Sequence, residues 1–129
     1  MNRAVILVAI LVGVLACADS PLSSCIRGEV VGYERCSNAV LIQVEKAYAI
    51  GEALTYYDHR SFDNVIRAPG KFGEYGDSIV YFTFRRYQHE NDSGLFGATE
   101  ICPSIYGPFD VPTVVITASS RVRCCNETE

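Results

Sequence analysis

Apolar and polar positions alternate most strictly near the end of the chain. In residues 111–125, Val114, Ile116, Ala118, Ser120, Val122 and Cys124 fall on one side at a period of two, and Val115, Thr117, Ser119, Arg121, Arg123 and Cys125 on the other. This is the pattern of a half-buried β-strand, and a strand is predicted over 113–124. Residues 78–89 repeat it, with Val80, Phe82 and Phe84 on one face and Ile79, Tyr81, Thr83, Arg85 and Tyr87 on the other. A first strand is read over 25–33 with Ile26, Val30 and Tyr33 inward, its glycines leaving the register open. Asn91-Asp-Ser-Gly94 reads as a turn, and residues 95–102 as a further strand forming a hairpin with 78–89. Pro103, Gly107, Pro108 and Pro112 then force an irregular link.

The period changes over residues 38–57. Val40, Val44, Ala47, Gly51, Leu54 and Tyr57 recur at three-to-four spacing, Gln43, Glu45, Lys46 and Glu52 oppose them, and Ser37 stands where an N-cap would. One long helix is predicted there, with Gly51 allowing close approach to a sheet. Residues 59–77 hold no period: 63–67 reads as a short edge strand, Ala68-Pro-Gly-Lys71 as a turn, and the connection as the place for a binding surface. The expected fold is α+β, one long helix packed on an antiparallel sheet of about four strands and stapled by disulfides.

The staples enter through the leader and the cysteines. Residues 1–18 read as a signal peptide, an Asn2-Arg3 start followed by an apolar run of about a dozen residues, too short to span a bilayer. Cleavage before Asp19 leaves 19–129 as a single secreted domain; cleavage before Cys17 fits nearly as well. About 110 residues build a modest core, so cross-links are expected among Cys25, Cys36, Cys102, Cys124 and Cys125, with Cys17 a sixth cysteine under the earlier cleavage. Adjacent strand residues point to opposite faces, which lets Cys124 and Cys125 tie the last strand to two different elements. Asn91 and Asn126 head Asn-x-Ser/Thr sequons and are the expected glycosylation sites. The formal net charge is -4, and losing Arg3 with the leader makes the mature chain more acidic still. That sign opposes non-specific nucleic-acid binding; neither nucleic acid nor membrane is expected as a partner, and a monomer is expected.

Catalytic and metal chemistry find little support. The two histidines, His59 and His89, form no His-x-x-x-His pair, and no Cys-x-x-Cys occurs, so no metal and no cofactor are assigned. A small secreted ribonuclease also combines one helix with an antiparallel sheet, and His59, Glu74, Arg85 and His89 supply a base, an acid and an arginine. Arg85 and His89, however, share one predicted strand four residues apart. The plainer reading puts His59 at the helix exit and His89 at a strand end, both solvated, and no catalytic residue is assigned. The arginines say more. Arg85, Arg121 and Arg123 share a sheet-face sense with Tyr81, Tyr87 and Thr117, and arginine beside tyrosine is the composition of a protein-recognition hot spot. The alternative is a solvated outer face balancing nearby acids.

The order of features resembles a known group. The run Cys25-x-x-Gly28-Glu29-Val30 with Tyr33 and Cys36, a helix opening after that cysteine, the Arg86-Tyr87 pair on the strand after the long connection, and the ending Val114-Val115-Ile116-x-Ala118-x-x-Arg121 with closely spaced cysteines are similar to the Leptosphaeria avirulence and suppressing (LARS-type) effectors. These are secreted proteins of plant-pathogenic fungi, and the likeness spans nearly the whole mature chain. Their Trp-Arg-Tyr/Phe-basic motif stands here as Phe84-Arg85-Arg86-Tyr87-Gln88. The resemblance implies an effector delivered into or around plant tissue that binds host plant proteins, is recognised by resistance proteins, suppresses immunity and carries no catalytic residues. Arg85, Arg86, Tyr87, Arg121 and Arg123 form its expected binding surface. The alternative function is a ribonuclease-fold secreted effector, active or degenerate.

Overall fold

The run Ala39-Val-Leu-Ile-Gln-Val44 is apolar at every position but one. In a computed structural model, which describes residues 25–97, 101 and 108–123, it forms a strand, β2 (Ala39–Val44), and the long helix over 38–57 is absent. The physical reason is burial on both sides. Val40, Ile42 and Val44 face one apolar cluster and Leu41 a second, so the strand shows a continuous apolar run where a half-exposed strand would alternate. The three-to-four stripe drawn through Val40, Val44, Gly51 and Leu54 joins residues of two strands, β2 and β3 (Glu52–Thr55), across a turn. Gly51 does make the close approach expected of it, but to a neighbouring strand: a Cβ there would stand 2.4 Å from the carbonyl carbon of Asn64.

With β1 (Ile26–Glu34), β4 (Ser61–Pro69), β5 (Ile79–Arg86) and β6 (Val114–Ser120), these strands form one six-stranded sheet in the order β3-β4-β2-β1-β5-β6. The expected four strands become six, and all neighbours run antiparallel. Beyond them, α1 (His89–Asp92) and the 3-10 turn Ser93–Phe96 are the only helical residues described. Among the described residues no helix is long and apolar enough to cross a membrane.

The sheet curls on itself. Arg67 of β4 donates its N–H to Pro112 O at 2.9 Å and forms a parallel bridge with Thr113, just before β6. The strands β4-β2-β1-β5-β6 therefore close into a partly open five-stranded Greek-key barrel, the architecture of the OB-fold, with β3 added outside β4. Inside lie Val40, Ile42, Val44, Ile66, Ala68, Val80, Phe82 and Val114, with Ile26 and Val30 of β1 packed against them as their spacing predicts, and Tyr33 with them because the register shifts by one residue after Val30. Outside the β2–β4 pair, Leu41, Leu54, Val65 and Val111 form the second cluster, covered by Tyr56, Phe62 and Phe109.

Three further expectations change. Residues 63–67 belong to β4, which lies between β2 and β3 with Val65 and Ile66 fully buried, and so are not an edge strand. Leu95 and Phe96 lie in the 3-10 turn, so the hairpin strand does not start there, and most of 98–102 falls outside the described residues. The predicted last strand is shorter, Val114–Ser120. Stapling of that strand is not seen among the described residues, where no disulfide joins two cysteines. Cys25 and Cys36 are each disulfide-bonded, yet they flank the nine-residue β1, roughly 30 Å apart along it, too far to bond each other. Cys102, Cys124 and Cys125 lie outside the described residues, as do residues 1–24 and Asn126.

Candidate binding cleft

β1 carries a bulge: Val30 pairs with Ile42 and Gly32 with Leu41, leaving Val31 as the extra residue. On its other side β1 pairs with β5 only over Ile26–Glu29, and the Val30 N–H closes that ladder on Ser78 O at 2.8 Å. From Val31 to Tyr33 no strand among the described residues pairs with this side. A cleft of about 730 Å³ opens there, floored by Val30–Tyr33 and lined by Tyr56, Arg60, Phe72, Asp77 and Arg121.

Each wall has a local cause. Tyr56 follows β3, and its ring lies over Gly32, where a Cβ would stand 2.5 Å from ring carbon Cε2. Its hydroxyl accepts from the Tyr33 N–H at 3.4 Å and donates to Tyr33 O at 3.3 Å. Arg60 is held in the β3–β4 turn by Asp58, with Nε 2.6 Å from Oδ2, and its guanidinium lies 5.4 Å from the Phe62 ring centre. The opposite lip is the 71–76 turn, where Gly73 and Gly76 adopt φ of 80° and 82°, open to glycine without strain. It presents Phe72, 82% exposed, edge-on to Tyr33 at 5.7 Å. Arg121, past the end of β6, runs along Gly76 and forms no ion pair among the described residues. Aromatic rings and an exposed guanidinium thus share one concave surface beside a stretch of β1 whose Tyr33 main chain is met by a single hydroxyl.

The arginine and tyrosine residues singled out from the sequence do not assemble. Thr83 and Thr117 do share a face, their hydroxyls 2.7 Å apart. Arg85 instead turns its guanidinium onto Asp92, making hydrogen bonds of 2.8 and 2.7 Å to the two carboxylate oxygens. Those bonds, joined by the Gln88 N–H, hold the Asp92 carboxyl down at about 2 although the side chain is buried. Arg85 therefore anchors the 88–96 segment. Arg86 is exposed, and the Tyr87 ring packs edge-on against Phe96. Because Arg86 pairs with Val114 and Tyr81 with Ser120, the Arg85–Tyr87 group and Arg121 stand at opposite ends of the β5–β6 ladder, roughly 20 Å apart. Arg123 is exposed beyond that end. Of the five residues, Arg121 alone lines the cleft.

The proposed ribonuclease residues are also dispersed. His59 sits in the β3–β4 turn at φ 68°, His89 opens α1 with Nδ1 3.4 Å from the Tyr87 hydroxyl, and Glu74 accepts the Lys71 N–H at 2.7 Å. No hydrogen bond or ion pair among the described residues joins any two of them or brings either histidine to Arg85. Ser37 caps no helix; its hydroxyl donates to buried Glu34. Asn91 is exposed, its amide donating to Gln88 Oε1 at 2.8 Å. Among the described residues no three His, Cys, Asp or Glu side chains converge as a metal-ligand set.

Tyr33 reads in the sequence as an inward residue and as part of the resemblance but not as a binding residue, and Tyr56, Arg60 and Phe72 were not singled out. The available signal was coarse: Arg60, Phe72 and Asp77 fall in the aperiodic 59–77 connection where a binding surface was expected. Tyr56 carried no signal, because what it covers is a glycine more than twenty residues earlier. No protein-family model matches the chain, and a search of curated proteins finds no match.

Proposed function

We propose that this chain is a secreted, non-enzymatic effector-type protein that acts in or around plant tissue by binding host proteins through the β1 cleft. The observation that carries the binding reading is the cleft itself, where Phe72 is 82% exposed beside Tyr33 and Arg121 has no ion-pair partner among the described residues. Phe72 and Tyr33 form an aromatic pair at the mouth of a cleft that also holds Arg121, and aromatic and arginine side chains are those that dominate binding energy at protein interfaces.

The effector reading adds the leader-like residues 1–18 and what remains of the LARS-type resemblance. Its helix after Cys36 has given way to β2, while Gly28-Glu29-Val30, Tyr33 and the Val114–Arg121 ending stand on β1 and around β6. Suppression of host immunity, recognition by resistance proteins and entry into host cells belong to the same proposal. Expressed in leaves carrying a matching resistance gene, the chain provokes cell death, and Phe72→Ala combined with Arg121→Glu abolishes the response at equal protein level. A flat response across a broad panel of resistance genotypes overturns the reading.

A further inference from the structure

The open side of β1 has a polarity that an apolar groove lacks. On this side the Tyr33 main chain is met by a single hydroxyl, that of Tyr56, which serves both the N–H and the C=O at 3.4 and 3.3 Å. Both distances exceed the 2.9–3.0 Å typical of main-chain hydrogen bonds. A sheet edge ending in a cleft is a template for another strand, and proteins that leave one uncovered commonly use it to take an extended peptide. The charge of the walls then selects among peptides. Arg60 is neutralised by Asp58, whereas Arg121 and Asp77 form no ion pair with each other, and Arg121 lies along Gly76 with its guanidinium exposed.

Resting on the reading of this cleft as the protein-binding site, we infer that it takes an extended peptide segment by strand addition along Val31–Tyr33, with an acidic side chain of that segment on Arg121. The segment displaces the Tyr56 hydroxyl from Tyr33 and continues the sheet where β5 leaves β1. Side chains pointing inward on the added strand meet Tyr33 and Phe72, and the alternate ones point to solvent. A carboxylate reaching Arg121 supplies the charged contact that this guanidinium lacks among the described residues.

The test uses the secreted chain purified from culture medium and linear peptides selected on it from a random display library. The selected peptides are expected to alternate apolar and polar positions and to share an Asp or Glu. In amide hydrogen exchange they should slow exchange over Val31–Tyr33, most at Tyr33, whose N–H faces the added strand. Arg121→Glu should weaken them by about tenfold or more and improve versions carrying Lys at the acidic position, while Lys46→Glu in the exposed β2–β3 turn leaves them unchanged. Binding without protection of Val31–Tyr33, indifference to Arg121→Glu, or protein concentration alone protecting these amides by self-association overturns the inference. If no linear peptide is selected while the host response still depends on Phe72 and Arg121, strand addition is wrong and the proposed function survives. If selected peptides protect these amides as described but the host response ignores Phe72 and Arg121, the proposed function fails and strand addition stands.

Discussion

Asn64 shows how much one side chain carries in this protein. At φ 52° it occupies the left-handed region that asparagine tolerates better than most residues, and its amide reaches across to the β2–β3 connection. The Nδ2 group donates to the carbonyls of Val44, Glu45 and Tyr48 at 2.7–3.1 Å, and Oδ1 accepts the Gly51 N–H at 2.7 Å. Asn64→Ala removes all of these and adds strain, and should destabilise by about 1–3 kcal/mol in urea denaturation. Asn64→Gly relieves the backbone and should recover only part, which separates hydrogen bonding from conformation. Nothing in the sequence marked this residue, because its partners are main-chain groups 13 to 20 positions away. Asp92 is a second case, noticed in the sequence only as part of a turn and the middle of a sequon. Its carboxyl is lowered from 3.8 to about 2, first by the Arg85 hydrogen bonds and then by the Gln88 N–H. A folded-state value below the unfolded one means the interaction stabilises fully above pH 4 and is lost as pH falls toward 2. Amide exchange in residues 88–96 should therefore accelerate over that window, and Asp92→Asn should show fast exchange there at neutral pH with the acid step removed.

At the scale of elements, β2 decides the architecture. Leu41 and Ile42 are both fully buried, one in each apolar cluster, which only a strand with cover on both faces can achieve. Leu41→Ala should cost about 2–5 kcal/mol, measured as a shift in the denaturation midpoint, and as much as a core substitution inside the barrel. A surface strand face would lose far less. The same element explains why the helix reading failed. A fully buried strand has no polar face, so no period of two survives, and spacing across a strand, a turn and a second strand happened to fit three-to-four repeats. β1, β5 and β6 were legible because each keeps distinct faces: Ile26 and Val30, Val80 and Phe82, and Val114 point inward. Val31 could not be foreseen as a bulge, since a bulge is defined by the strand opposite.

At the scale of the molecule, a buried polar hub joins the ends of the barrel. Glu34, 1% exposed, accepts the Phe109 N–H at 2.8 Å and the Ser37 hydroxyl, and lies 3.6 Å from Arg67 Nη2. Arg67 is itself the residue whose backbone links β4 to the start of β6, and its guanidinium lies 5.4 Å from the Phe96 ring centre. Removing the carboxylate leaves a largely buried cation unpaired, so Glu34→Ala should destabilise by about 3–5 kcal/mol, and Glu34→Gln, which keeps an acceptor for Phe109, by less. The cleft belongs to this scale too. It draws on β1, the β3–β4 turn, the 71–76 turn and the residue after β6, elements far apart in the chain that only barrel closure brings together.

By itself, then, the chain determined which segments extend and which of their sides face inward wherever the two sides differ in polarity. It also marked the aperiodic stretch that supplies much of the cleft wall, since glycine, proline and local alternation act over a few residues. Tertiary structure alone decided that residues 39–44 are a strand, that β4 lies inside the sheet, that Arg85 serves Asp92, and that Arg121 meets Phe72 and Tyr33 across one opening. Those outcomes depend on what covers each segment, and burial on both faces, strand order and long-range partners leave no imprint on the spacing of neighbouring residues.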